Sequence, residues 1–103
     1  MNYIGQIYYI HGHKNELYVG GTTRPLSERL SHHFSDHKLG RERTSCQIIF
    51  EINNISKNCY DWKNYVEIIL IEKYACKSRT EFMKREQYWI NYYKDLCVNF
   101  RKY

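Results

Sequence analysis

A single proline, Pro25, and five glycines are spread over the 103 residues, too few and too scattered for a collagen-like or low-complexity chain. Long apolar runs are also missing. The longest, around Val66 to Ile71, is interrupted by Glu67 and falls far below the roughly 18 residues a membrane span needs, so no membrane partner is expected. The start of the chain lacks the charged segment, apolar core and small-residue site of a secretory signal, and passes directly into a strand-like run from Tyr3 to Ile10. A soluble, intracellular protein, cytoplasmic or nuclear, is the expectation. None of the four cysteines, Cys46, Cys59, Cys76 and Cys97, forms a C-x-x-C pair, which leaves out zinc-ribbon and thioredoxin-type motifs and makes free thiols the default. Acidic residues are the scarcer charge, 11 against 16 Lys and Arg, and the resulting +5 favours a polyanionic partner.

Aromatics, in contrast, are abundant: eleven Tyr, four Phe and two Trp make up 17% of the chain, and many phenols must lie at half-buried positions. With 43% hydrophobic residues and this length, one domain covering 1–103 is expected, and no repeat or linker divides it.

Ile4 to Ile10 and Glu16 to Gly20 read as two strands of a hairpin turned by His11-Gly12-His13-Lys14-Asn15. Gly20-Gly21-Thr22-Thr23 then reads as a strand break. Pro25 suits the first turn of a helix that runs to about His37, with Thr22 or Thr23 as its cap. Leu26, Leu30 and Phe34 recur every fourth residue as its buried stripe, and Arg29, His32, His33 and His37 lie beside or opposite it. Ser45 to Ile52 reads as a second helix, although Ile48-Ile49-Phe50 also fits a strand. A polar loop from Asn53 to Asn64 leads to a third strand, Tyr65 to Ile71, and a last helix begins at Ser78, with Glu81 completing a capping box, and continues to about Lys94. The remainder, Leu96 to Tyr103, reads as a short basic tail.

On that last helix Phe82, Met83, Trp89, Ile90 and Tyr93 mark a core-facing stripe with Glu86 in its middle. An unpaired ionised carboxylate on an apolar face costs at least several kcal/mol, so Glu86 requires an ion pair, a proton, a metal or a cleft edge. A salt bridge to Arg29 or Lys84 is the plain structural alternative. Tyr8 and Tyr18 stand on the hairpin strands, where sheet packing alone accounts for tyrosine. Arg29 and His33, four residues apart, present one edge of the first helix, where surface solvation is the plain account.

Together these pieces resemble the GIY-YIG nuclease superfamily. Gln6-Ile7-Tyr8 and Tyr18-Val19-Gly20 match its two name-giving strands, and Arg29 follows in Arg24-Pro25-Leu26-Ser27-Glu28-Arg29, with His33 closing the helical signature. Arg85-Glu86-Gln87-Tyr88-Trp89-Ile90 is similar to the helix bearing the acidic metal ligand, and Val98-Asn99 to the late asparagine. One departure is Gln6, which stands where the family usually has glycine, with Gly5 one position earlier. The resemblance implies an α/β fold, a small three-stranded antiparallel sheet flanked by helices. It also implies a metal-dependent DNA endonuclease with one divalent ion, Mg²⁺ or Mn²⁺, held by Glu86. Tyr8 is then the general base, Arg29 neutralises charge on the scissile phosphate, Tyr18 and His33 orient water and phosphate, and Asn99 fixes local geometry.

Two rival readings stand beside it. A catalytically inactive DNA-binding module of the same fold would use Lys38, Arg41, Arg43, Arg101 and Lys102 on phosphates. A structural zinc site would draw on His33, His37 and Cys46, although a second closely spaced ligand pair is missing. Composition does not fix the oligomeric state, monomer or weak dimer.

Overall fold

The computed structural model describes residues 3–40 and 45–100. Tyr and Ile alternate through strand β1 (Tyr3–His11), which occupies the centre of an antiparallel sheet of order β2-β1-β3, with β2 at Leu17–Thr22 and β3 at Glu67–Cys76. Because side chains of a strand point alternately to opposite faces, β1 supplies two cores at once. Tyr8 and Ile10 face helices α1 (Leu26–Leu39) and α2 (Ser45–Ile52), where Leu30, Phe34, Ile49 and Phe50 meet them. Ile7 and Tyr9 face helix α3 (Arg79–Tyr92), packing with Phe82 and Ile90. The expected architecture of three antiparallel strands flanked by helices is what the chain adopts.

Aromatic rings lock the α1–α2 side. Phe34 stacks on Trp62 with centroids 4.4 Å apart, and Phe50 meets both rings edge-on. His37 is part of this core and not of a solvated helix edge: it stacks on Phe50 at 5.0 Å and its Nε2 bonds the Ile55 carbonyl at 3.0 Å, which satisfies the buried imidazole.

Several element ends differ from the sequence reading. Pro25 occupies the cap position of α1 and no side chain caps the helix. Its carbonyl accepts the first helical bond from Arg29 N–H, and Thr22 Oγ1 instead accepts from Arg24 N–H at 3.0 Å. Past His37 the helix runs two residues further and stops at Gly40, whose φ of 62° is the left-handed conformation glycine tolerates. Strand β2 does not break at Gly20 but continues through Gly21 to Thr22, paired with Tyr8, Ile7 and Gln6. Tyr65 closes the 3-10 turn Trp62–Asn64, so β3 starts at Glu67 and extends to Cys76 because β1 offers partners as far as Tyr3.

Helix α3 begins as expected, with Ser78 Oγ accepting from Glu81 N–H and the Glu81 carboxylate from Lys77 N–H, but it ends at Tyr92. Met83, expected in the core stripe, is 55% exposed. A step of about 100° from Phe82 carries it off the contact face. Of the expected tail, the part from Leu96 to Val98 is docked: Leu17 N–H donates to Leu96 O at 2.9 Å, Leu17 and Cys97 form a parallel bridge, and Val98 is fully buried, while residues 101–103 lie outside the described residues. Among the described residues no helix is long and apolar enough to cross a membrane.

Candidate active site

Tyr8 on β1 lies directly across from Gly20 on β2. The missing side chain makes room for the phenol: a Cβ at position 20 would stand 2.6 Å from the Tyr8 hydroxyl and 3.0 Å from the Tyr18 ring. Tyr18, two residues earlier, shares that sheet face, and the two phenol rings are 6.5 Å apart. Helix α1 crosses above them. Its 3.6-residue turn brings Arg29 and His33 to one side, and His33 meets the Tyr18 ring edge-on at 5.4 Å.

The Tyr8 hydroxyl and His33 Nε2 are 2.8 Å apart in a buried hydrogen bond, and the Arg29 charge acts on the same phenol from the same helix. Burial keeps the phenol protonated and the imidazole neutral, so the phenol can donate its proton to Nε2 of His33. His33 is neutral. Burial, reinforced by the Arg29 and His32 charges, pushes its pKa down to about 3. Burial pushes both phenols above the ordinary tyrosine range, and Arg29 partly opposes this. His33 is thus a core group and not a solvated one, with 3% exposure.

The acid comes from the opposite face of the sheet. Phe82 and Glu86 of α3 lie against Gly21, where an added Cβ would come within 2.5 Å of the Phe82 ring and 2.7 Å of Glu86 Oε2. The Gly20–Gly21 doublet on this edge strand thus removes one side chain from each face. Through that thin place the Glu86 carboxylate raises both phenols. Read from sequence as a breaker, the doublet instead makes room for the Tyr8 ring on one face and for Phe82 and Glu86 on the other, and its signal was the glycine pair itself.

Glu86 is half-buried and, among the described residues, makes no hydrogen bond and no ion pair within 4.0 Å. The salt bridge to Arg29 or Lys84 is not formed. Burial raises its pKa, with Arg29 and Arg79 opposing at longer range. A lone carboxylate of this kind fits a hard divalent cation that takes its other ligands from water and phosphate. Zinc is not supported: no group of three or more His, Cys, Asp or Glu side chains gathers among the described residues. His33 is engaged by Tyr8 and His37 by Ile55, while burial keeps Cys46 a neutral thiol.

Asn99 lies away from the phenols, against the backbone of β2. Val19 N–H donates to its Oδ1 at 2.9 Å, and its Nδ2 donates to Val19 O at 2.7 Å. This fixes the strand between Tyr18 and Gly20. Lys38 is exposed near the end of α1, whereas Arg41, Arg43, Arg101 and Lys102 lie outside the described residues.

Sheet order and helix placement define a small α/β domain with a three-stranded antiparallel sheet between helices. The family model of the GIY-YIG catalytic domain matches residues 4–102, and the chain belongs to that family. It is a family of nucleases that act on DNA and in general depend on a divalent metal. No curated protein and no solved structure matches the chain at a significant level.

Proposed function

We propose that this protein is an Mg²⁺- or Mn²⁺-dependent DNA endonuclease in which Tyr8 is the general base and Glu86 the metal ligand. The observation that carries this reading is the buried 2.8 Å hydrogen bond between Tyr8 and a neutral His33, with the Arg29 charge acting on the same phenol. A phenol with a raised pKa is not ionised at neutral pH, so it serves as a base only if its own proton has somewhere to go. His33 Nε2 is that acceptor. Arg29 takes the phosphate, and its movement toward it opens the otherwise fully enclosed hydroxyl.

A water then gives a proton to the Tyr8 oxygen while the Tyr8 proton passes to His33. The water oxygen forms the new bond to phosphorus, and the bond to the 3′ oxygen breaks, leaving a 5′ phosphate and a 3′ hydroxyl protonated from solvent. Arg29 neutralises charge on the phosphoryl oxygens, and Tyr18, on the same sheet face, orients the water. Glu86 would hold the divalent cation, which would supply Lewis-acid stabilisation of developing negative charge. Asn99 acts at one remove, holding β2.

Supercoiled-plasmid nicking and thermal unfolding test this together. Tyr8→Phe and Glu86→Gln each lower Mg²⁺-dependent nicking by on the order of 10²-fold or more. Mg²⁺ raises the Tm of the wild-type protein but not that of Glu86→Gln, because only a folded state with the carboxylate gains from the ion. Undiminished nicking by either variant overturns its assigned role. The complete enclosure of Tyr8 favours one second reading, a catalytically inactive DNA-binding module, which would shift DNA in a gel without cutting it at any metal concentration.

A further inference from the structure

The sheet face that carries Tyr8 is not covered along its whole length. Beyond Tyr8 toward the start of β1 the same face presents Ile4 and Gln6, and β3 contributes Leu70, Lys73 and Ala75 opposite Tyr8, Gln6 and Ile4 in turn. Ile4 is 54% and Leu70 47% exposed, and Lys73 and Ala75 also face solvent.

Leu70 and Lys73 are three residues apart and would ordinarily point to opposite faces. The register shift between Ile7 and Tyr8 makes Ile71 an extra residue in β3, since Ile7 pairs with Glu72 and Tyr8 with Leu70. That bulge turns Lys73 onto the face of Tyr8. Bulges next to reactive groups commonly re-aim a side chain in this way. Ile71 itself joins the α3 core.

Lys73 makes no ion pair among the described residues. Gln6 donates from Nε2 to the Arg24 carbonyl at 2.9 Å, which fixes the amide orientation because a carbonyl oxygen only accepts. Its Oε1, which has no hydrogen-bond partner among the described residues, is left as an acceptor on the shelf. From Ile4 to Tyr8 the surface runs about 13 Å and ends at the phenol.

We propose that this strip is a substrate shelf, on which the DNA strand bearing the scissile bond lies next to the reacting phosphate, with Lys73 on a neighbouring phosphate, Leu70 and Ile4 against sugar and base, and Gln6 Oε1 accepting from a base amino group. The assignment rests on the nuclease reading, and the argument for this occupant is continuity with Tyr8 together with an unpaired cation. The apolar residues alone would not distinguish a strand of DNA from a second copy of the chain, but the lysine turned inward by the bulge matches a polyanion.

The test uses the full chain carrying Glu86→Ala, so that binding is read without cutting, and a fluorescein-labelled DNA oligonucleotide in Mg²⁺ followed by anisotropy. Adding Leu70→Ser and Lys73→Ala weakens binding by on the order of tenfold and lowers the salt slope by about one. Adding Lys84→Ala and Tyr88→Ser on the exposed side of α3 changes it less than twofold. Far-UV circular dichroism and Tm verify that both variants fold. Equal loss in the two variants means general charge and overturns the shelf, as does a shelf variant that binds like its parent or changes only sedimentation behaviour. Nicking by the wild-type protein is scored separately: absent nicking with shelf-dependent binding defeats the endonuclease and keeps the shelf.

Discussion

A hydrogen atom at position 20, where any other residue has carbon, decides whether the Tyr8 phenol can lie flat beside β2. An alanine methyl there would come 2.6 Å from the hydroxyl and 2.8 Å from the ring carbon that bears it, and the ring is the rigid part of a fully buried residue. It must shift, and the hydrogen bond to His33 with it. Gly20→Ala is therefore expected to cost about 1–3 kcal/mol through overpacking. A displacement of the order of 1 Å at the base is expected to lower nicking by about 10²-fold. Urea unfolding and plasmid nicking measure the two effects. A variant with parental stability and rate would show that the phenol has more freedom than its surroundings allow. Gly21 faces the other way, against the Phe82 ring and the end of the Glu86 side chain, so its substitution disturbs the acid and not the base.

Strands report themselves in sequence when their side chains alternate between two different surroundings, which is why β1 and the start of β2 were legible from their Tyr, Ile and Val residues. The hidden elements are those whose partner is distant. Nothing local says that Leu96 to Asn99 returns to β2, because the segment's only repeating feature is its fit to Leu17 and Val19. Nor does a sequence period reveal a bulge: Ile71 breaks the alternation of β3, so Glu72 and Lys73 look misplaced until their partners on β1 are known. His33 and His37 look like polar helix positions for the same reason, since burial is set by the phenol and the aromatic rings brought from other elements. Of the site, the residue types, their order and the glycine pair itself were readable, while the place of that pair between acid and phenols was not.

The return of the C-terminal segment also makes β2 testable as an element. Asn99→Ala leaves Val19 N–H and C=O without their side-chain partners at the sheet's edge, and the expected loss is about 1–3 kcal/mol. Asn99→Asp is expected to behave almost as badly, since a carboxylate accepts from Val19 N–H but sets a second acceptor against Val19 O. Amide hydrogen exchange at Val19 measures the local effect. Unchanged protection in both variants would show that β2 keeps its place without the asparagine.

For the molecule as a whole, the buried imidazole couples folding to pH. His33 has its pKa held near 3 in the folded protein, whereas an unfolded chain has an ordinary histidine near 6.5. Between those values the unfolded state binds a proton that the folded state does not, so stability falls as pH drops below about 6.5, with a slope of up to ~1.4 kcal/mol per pH unit from this one group. Carboxylates begin to add their own titration below about pH 5, which leaves pH 6.5 to 5 as the window in which the histidine dominates. His33→Gln keeps an acceptor for the Tyr8 hydroxyl and removes the titration. Urea unfolding of parent and variant at pH 7.5, 6.5, 5.5 and 5.0 is expected to give curves that converge as pH falls, the parent losing the stability that the variant keeps. Parallel curves would mean that His33 takes up its proton inside the fold as readily as outside it, and the neutral acceptor on which the Tyr8 proton transfer depends would be lost at the mildly acidic end of the range.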